Sequence, residues 1–274
     1  MPDLATILPM FFLLLVIGAF AGVVAGLLGV GGGIVLVPAF FYALSVLGYD
    51  SPQLMQICLA TSLATIIVTS ARSLQSHNRK GAVDWQVLRQ WAPGIMIGAV
   101  IGVVVASMLR STVLQGIFGV LGFIIGLYFI VGSERWRIAD QMPGIITRSI
   151  LSPVVGVLSV LMGIGGGSFA VPIMSLYGAP IHRAVATASG FGLIIAVPSV
   201  IGFLFIQIPE AVRPPFTIGA VNLPAFVITI VTTIYTTTLG VRLAHAMDPR
   251  PLKRVFAVFL IAVSLNMLRK ALGY

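Results

Sequence analysis

The sequence predicts an all-α polytopic membrane protein, and three observations support this fold class. Of the 274 residues, 58% are hydrophobic and 8% are charged, whereas soluble domains carry about 25% charged residues. Uncharged runs recur along the chain, and one helical crossing of a bilayer takes about 20 apolar residues. The chain also contains a long internal repeat. We therefore expect ten membrane segments in two five-segment inverted-topology repeats, with a short, broken second segment in each half.

The apolar segments follow each other in a regular order. In the first half they cover residues 7–28, 33–48, 54–71, 91–109 and 113–132, and in the second half 145–163, 167–179, 184–206, 218–240 and 252–269. The first segment lacks the basic amino-terminal region of a signal peptide, so we interpret it as a mature helix. The predicted domains are the repeats 1–132 and 145–274, joined by a cytoplasmic linker at 133–144.

The two halves share a glycine-rich motif and several shorter matches. Gly29-Val30-Gly31-Gly32-Gly33 with Val37-Pro38 recurs as Gly163-Ile164-Gly165-Gly166-Gly167 with Val171-Pro172, 134 residues later. Ala60-Thr61 matches Ala186-Thr187 at an offset of 126, and Gly81-Ala82-Val83 matches Gly219-Ala220-Val221 at 138. Because five is odd, the halves are expected to have opposite orientations, as in many secondary transporters.

The basic residues indicate how the chain crosses the membrane. If all ten segments cross, twelve lie on one side (Arg72, Arg79, Lys80, Arg89, Arg135, Arg137, Arg148, Arg183, Arg242, Arg250, Lys253, Arg254) and four on the other (Arg110, Arg213, Arg269, Lys270). If the short segments do not cross, the division becomes ten to six. The positive-inside rule favours twelve to four, which places both termini outside. The net charge of +9 then reflects topology, and no nucleic-acid partner is expected.

Several kinds of site are not expected from the residues present. The single cysteine, Cys58, excludes an intramolecular disulfide and a multi-cysteine metal site. No Asp or Glu lies centrally in a predicted segment, which disfavours a carboxylate proton relay. Paired carboxylates, metal-ligand clusters and a Ser/His/Asp set at one membrane depth are also lacking. We therefore predict neither an enzyme nor a bound metal or cofactor.

The glycine motifs are expected to unwind the chain in front of each short second segment. Three glycines cost a helix about 2–3 kcal/mol relative to alanine, and such backbone persists in a membrane only inside protein or beside a water-filled cavity. A helix that begins there directs free N–H groups and its positive dipole end at an anion. The predicted substrate-binding glycines are Gly31, Gly32, Gly33, Gly165, Gly166 and Gly167. The alternative is a tight turn that permits close packing.

Hydroxyl groups of the third segments extend this predicted anion site without a buried charge. They belong to Thr61, Ser62, Thr187 and Ser189. Alternatively, they bond carbonyls of their own helix or of a neighbour. Pro38 and Pro172 predict helix kinks. Residues that border segments on the predicted cytoplasmic side are expected at a gate or entrance: Arg72, His77, His182 and Arg183.

Small residues also recur along single helix faces. Gly18-x3-Gly22-x3-Gly26, Gly94-x3-Gly98-x3-Gly102 and Gly122-x3-Gly126 predict close helix packing, within the chain or between protomers of a possible homodimer. Thr229, Thr232, Thr233 and Thr236 form a similar stripe. We interpret this stripe as packing, with a lining of the transport pathway as the alternative.

The doubled glycine motif with its downstream proline and Ala-Thr resembles the TauE/SafE sulfite-exporter family, as does His77-Asn78-Arg79-Lys80-Gly81-Ala82-Val83-Asp84-Trp85 after the third segment. The resemblance covers nearly the whole chain. It implies a bacterial or archaeal inner-membrane transporter that exports or exchanges sulfite, thiosulfate or organosulfonates, such as sulfoacetate or taurine-like compounds, by alternating access. An anion channel and a carrier for a non-sulfur organic anion are the alternatives. One departure is Ala188, where the first half has Ser62.

Overall fold

The computed structural model describes residues 4–29, 31–132, 136–246 and 250–273, and ten α-helices follow the predicted segments within these ranges. The first half contains α1 (Leu4–Leu28), α2 (Gly33–Val46), α3 (Leu54–Asn78), α4 (Trp85–Met108) and α5 (Ser111–Val131). The second contains α6 (Ile145–Leu161), α7 (Gly167–Leu176), α8 (Ile181–Leu204), α9 (Leu223–Ala246) and α10 (Arg250–Ala271). Val30, Arg135 and the side chains of Arg250 and Lys253 lie outside the described residues.

The lengths of the helices separate long spans from short segments. Within the described residues, six are long and apolar enough to cross a membrane: Leu8–Leu28 of α1, α3, α4, α5, α8 and α9. The second segments are short, since α2 has 14 residues and α7 has 10. They measure about 21 and 15 Å, less than the roughly 30 Å hydrocarbon core. The all-α polytopic fold is confirmed, and full crossing by α2 and α7 stays a prediction.

The connection before α9 differs from the prediction. A 3-10 turn (Glu210–Val212) and an antiparallel hairpin of β1 (Thr217–Ile218) and β2 (Val221–Asn222) occupy it, so α9 begins at Leu223 and not at residue 218. Gly219 closes the hairpin with a φ of 55°, a conformation that suits glycine. Hydropathy missed this turn because its flanking residues are as apolar as a helix end.

The most extensive helix pairs each combine one helix from the first half with one from the second half. The most extensive partner of α1 is α9, and that of α4 is α6. Because α6 is the counterpart of α1 in the repeat, and α9 that of α4, these two interfaces are equivalent. Two further large interfaces join counterparts directly, α5 with α10 and α3 with α8. The two halves are therefore intertwined and do not form separate bodies.

Close contacts at glycines show the directions of these helices. A methyl group added at Gly22 of α1 would lie 2.9 Å from Thr233 Cα, and one at Gly26 would lie 2.7 Å from the backbone nitrogen of Val241. Residue numbers rise together, so α1 and α9 are parallel. On α5, a methyl group at Gly119 would meet Leu268 and one at Gly126 would meet Ile261, so α5 and its counterpart α10 are antiparallel. Antiparallel counterparts are what inverted repeats require.

The predicted glycine faces pack within this chain. The glycines of α1 lie against α9, those of α4 lie against α6, and Gly122 and Gly126 of α5 lie against α10. The threonine stripe of α9 is the surface that receives α1, since a methyl group at Gly18 would meet Thr229 and Thr232. These glycines therefore support helix packing inside the protein and supply no argument for a homodimer.

Candidate functional site

Each half bends sharply at its glycine motif. We call residues 29–33 the first hinge, which joins α1 to α2, and residues 163–167 the second hinge, which leads from α6 into α7. Gly29, Gly31 and Gly32 have φ angles of 65°, 77° and 80°. Residues with a Cβ rarely adopt this left-handed region, so the first hinge requires glycine for its backbone path.

The second hinge requires glycine chiefly for space. Gly163 has a φ of 61°, but Gly166 has an ordinary φ of −58°. A methyl group added at Gly166 would lie 2.8 Å from Phe191 Cβ, closer than real contacts allow. The predicted alternative of a close-packed turn thus accounts for this glycine, and the two hinges share a motif without sharing one backbone conformation.

The two hinges lie against each other inside the protein. A methyl group added at Gly33 would lie 2.8 Å from Ile164 Cα, and one at Gly31 would lie 3.4 Å from Gly165 Cα. Gly31–Gly33 and Gly163–Gly167 are all buried. The structure therefore brings the predicted glycines of both halves together, with the two backbones in direct contact.

The amino-terminal ends of α2 and α7 have no side-chain cap, because Gly32 and Gly166 precede them. In the first turn of α7, the hydroxyl of Ser168 is fully buried and has no hydrogen-bond partner in the described part of the chain. Buried polar groups are nearly always paired, so this helix end has hydrogen-bonding capacity that the protein does not use. Sequence comparison between the halves missed Ser168, since its counterpart is Ile34.

Hydroxyls of α3 hold both hinges. Ser62 Oγ donates to the carbonyl oxygen of Gly163 at 2.7 Å, and Thr69 Oγ1 donates to that of Gly31 at 3.1 Å. Ser62 was predicted near the site, whereas Thr69 was not. Their separation of two helical turns, which puts both on one face, is the signal that identifies Thr69. In α8, Ala188 lacks the hydroxyl and Ser189 Oγ donates to Ala186 of its own helix at 2.6 Å, so the second half has no equivalent contact there.

The predicted threonine ligands instead connect the two halves at other points. Thr61 Oγ1 accepts a hydrogen bond from the backbone N–H of Asn222 at 3.0 Å. Thr187 Oγ1 accepts one from the backbone N–H of Asp84 at 2.9 Å. Both threonines are fully buried. Because Asn222 and Asp84 are counterparts in the repeat, these are two copies of one contact, and we call them the Thr61 clasp and the Thr187 clasp.

Each clasp is built on a helix cap. Asp84 Oδ1 accepts from the backbone N–H groups of Gln86 and Val87 at 3.1 Å, and Asn222 Oδ1 accepts from that of Ala225 at 3.0 Å. These interactions are N-caps, of the type that acidic and amide side chains favour. The Thr187 clasp carries an additional ion pair between Asp84 Oδ2 and Arg183 Nη2 at 3.2 Å. This pair is where the structure places Arg183, predicted at the entrance.

The three histidines of the sequence meet in one cluster. His77 Nδ1 lies 3.2 Å from His245 Nε2, and His77 Nε2 lies 3.3 Å from the carbonyl oxygen of Gly26. The rings of His182 and His245 stack with centroids 6.0 Å apart. The helices α3, α8 and α9 thus converge here, and His245 had not been singled out from the sequence. Across the described residues, no three or more His, Cys, Asp or Glu side chains are arranged to hold a metal.

The remaining predicted residues are Arg72, the two prolines and Cys58. Arg72 is exposed and lines a cleft with Arg242. Pro38 and Pro172 lie inside α2 and α7, which continue past them. Cys58 is free and buried.

Comparison with known proteins supplies the family. A probable membrane transporter protein of Haemophilus influenzae is 31% identical over 258 residues, which cover 94% of this chain and 98% of the relative. One of Methanocaldococcus jannaschii is 25% identical, with 93% and 94% covered. Another, of Bacillus subtilis, is 32% identical over 197 residues, with 65% and 72% covered. No solved structure matches the chain.

One protein family matches nearly the whole chain in sequence. The family described as Sulfite exporter TauE/SafE matches residues 14–267, a range that includes both hinges and both clasps. The apolar helices agree with a multi-pass protein of the inner membrane. The chain therefore belongs to the TauE/SafE sulfite exporter family.

Proposed function

We propose that this membrane transporter is a secondary carrier that exports or exchanges small sulfur-containing anions, such as sulfite, thiosulfate or organosulfonates, by alternating access. The observation that carries this proposal is the meeting of two uncapped glycine hinges in the protein interior. Family membership supports transport, and the names of the relatives indicate transporters and not enzymes. The choice of sulfur anions follows from the description of the family and from the chemistry of the hinges.

The hinge site favours an anion for electrostatic reasons. The first turns of α2 and α7 direct backbone N–H groups and positive dipole ends toward the hinges. The Ser168 hydroxyl adds a buried donor that has no partner among the described residues. Within the described residues, the carboxylates Asp50, Asp84, Asp140 and Glu210 all lie in connections between helices, so none opposes an anion at the hinges. Such a site accepts a sulfite-sized oxyanion through hydrogen bonds to its oxygens.

The two clasps support alternating access. In this conformation both clasps are formed and the hinges touch, so the site is closed on both sides. In the predicted topology, the Thr61 clasp faces the outside and the Thr187 clasp faces the cytoplasm, since inverted repeats place equivalent contacts on opposite sides. Breaking one clasp while the other persists would open one side and separate the hinges enough to admit a substrate.

The test is Gly33→Ala in proteoliposomes, measured as counterflow of labelled sulfite. Gly33 lies in a helix with no unusual backbone angle, so alanine affects mainly the contact with the second hinge. We expect counterflow to fall at least tenfold, because a misplaced binding geometry costs several kcal/mol. Gly116→Ala is the matched control, since its nearest neighbour, Ala271 Cβ, would lie 3.9 Å away.

Three results would contradict the proposal. Unchanged counterflow by Gly33→Ala, with the protein folded in the membrane, would remove the hinges from the substrate site. Sulfite flux that shows no acceleration by unlabelled sulfite on the far side would identify a channel and not a carrier. Counterflow of a carboxylate with equal efficiency would assign the site to organic anions in general.

A further inference from the structure

A basic cleft lies between α3 and α9, separate from the hinges. Its lining consists of Arg72, Ile234, Tyr235, Thr238, Leu239 and Arg242, around a cavity of about 280 Å³. Arg72 comes from the last two turns of α3, and Arg242 comes from the last two turns of α9. The cleft thus lies near one end of both helices, on the side predicted to face the cytoplasm.

The two arginines of this cleft have no ionic partner among the described residues. Three ion pairs occur among the described side chains, and they involve Arg137, Arg183 and Arg213. Neither Arg72 nor Arg242 forms an ion pair or a side-chain hydrogen bond with a described residue. Two guanidinium groups beside one cavity repel each other, more strongly near apolar surface than in water. An anion between them would remove this repulsion, and arginine binds phosphate through paired N–H groups.

The surroundings of the cleft are those of an amphiphile. Val231, Tyr235 and Leu239 succeed each other by one helical turn on α9, with 53%, 75% and 53% of their surfaces exposed. They form an apolar ridge that leads from the middle of the helix to Arg242, one turn further on. A hydrocarbon chain lying along this ridge would bring its headgroup to the two arginines.

We propose that this cleft binds the phosphate of an anionic phospholipid headgroup in the cytoplasmic leaflet. Basic pockets between membrane helices on that side are suited to anionic lipids, and the leaflet itself carries a negative surface potential. Arg72 and Arg242 hold the phosphate, and the apolar ridge of α9 contacts an acyl chain. This assignment gives Arg72 a role in lipid binding that is distinct from the entrance predicted for it.

The experiment compares lipid retention by native mass spectrometry of the full-length protein. The probes are phosphatidylglycerol, phosphatidylcholine and inorganic phosphate. We expect the native protein to retain phosphatidylglycerol in preference to phosphatidylcholine. The double variant Arg72→Gln/Arg242→Gln should bind phosphatidylglycerol about thirtyfold more weakly, since each basic residue near the surface contributes about fivefold and the two factors multiply. Arg79→Gln, an exposed arginine at the same end of α3, is the matched control and should retain the lipid.

Inorganic phosphate distinguishes the lipid from a free anion. If it displaces phosphatidylglycerol at equal concentration, the cleft is a site for soluble phosphate and the lipid assignment is wrong. Equal retention of phosphatidylglycerol by the double variant would also overturn the proposal. If that variant does not fold, Leu239→Glu tests the same prediction, because it leaves both arginines in place and adds a negative charge to the cleft. Undiminished lipid binding by Leu239→Glu would contradict it as well.

Discussion

Ser168 and Ser264 are two of several buried serines that have no hydrogen-bond partner among the described residues, and they lie in different surroundings. Both hydroxyls are fully buried and have no hydrogen-bond partner among the described residues. Ser168 is in the first turn of α7, beside the hinges, whereas Ser264 lies in α10 against α5. An unpaired buried hydroxyl costs roughly 1–3 kcal/mol, and this cost has a functional reason at Ser168 if the substrate supplies the missing partner.

Replacing each serine by alanine separates stability from binding. We expect Ser168→Ala to leave the melting temperature unchanged or higher, because it removes an unpaired polar group. The same variant should raise the KM for sulfite about tenfold, the effect of one hydrogen bond to a charged group. Ser264→Ala should show the stability effect alone. An unaltered KM in Ser168→Ala would exclude this hydroxyl from the substrate site.

At the scale of helices and loops, the clasps hold the start of one helix in one half against the amino-terminal third of a helix in the other half. The Thr187 clasp joins the capped helix start at Asp84 to a buried threonine on α8, and the Thr61 clasp joins the capped helix start at Asn222 to a buried threonine on α3. They differ in their additional support. The Thr187 clasp has the Asp84–Arg183 ion pair, while Asn222 Nδ2 donates within its hairpin to Thr217 Oγ1 at 2.9 Å. Equivalent positions thus have different chemistry, which permits the two sides to open with different energies.

The clasps are tested by Thr61→Val and Thr187→Val, which keep the side-chain shape and remove the hydrogen-bond acceptor. The reporters are Val221→Cys beside the Thr61 clasp and Val83→Cys beside the Thr187 clasp, in a Cys58→Ala background. Both reporter positions are buried. We expect each threonine variant to increase thiol labelling about tenfold at its own clasp only, because an unpaired buried N–H destabilises the closed side by roughly 1–3 kcal/mol. An equal increase at both reporters would indicate general loosening and contradict independent opening.

At the scale of the whole molecule, the packing of helices from one half against helices of the other half limits which parts of the protein can move. Since α1 packs on α9 and α6 packs on α4, we do not expect the two sequence halves to move against each other as rigid bodies. Each packed pair takes one helix from each half. The glycine contacts within these pairs bring backbones close together, which makes the pairs stiff. Motion is therefore expected between packed pairs, with the hinges as the flexible connections.

The predicted topology has a direct test. With Cys58→Ala as background, impermeant thiol reagents added outside should label Glu210→Cys and Leu272→Cys and should spare Asp140→Cys. All three positions are exposed. The basis is the positive-inside rule applied to ten crossings. Labelling of Asp140→Cys from outside would reverse the assigned orientation, and labelling of Glu210→Cys from the cytoplasmic side alone would refute the inverted repeat.

Much of the architecture depends on local patterns in the chain, and the sequence alone determined it. The number of helices, the short second helices and the glycine hinges follow from apolar run lengths and from glycine triplets, because the bilayer restricts which backbone can be buried. The family was also evident from these motifs. The helix ends were less accurate, since hydropathy stops at the first charged residue, whereas α3 continues from residue 71 to Asn78.

Contacts between distant residues were decided by the tertiary structure. The proximity of Thr61 to Asn222, of Ser62 to the second hinge, and of His77 to His245 joins residues more than 100 positions apart. The repeats in the sequence show which residues of the two halves are equivalent. They do not show which residues of one half contact which residues of the other. That outcome depends on how ten helices pack together, because membrane helices associate through shape and close backbone contact over their whole length.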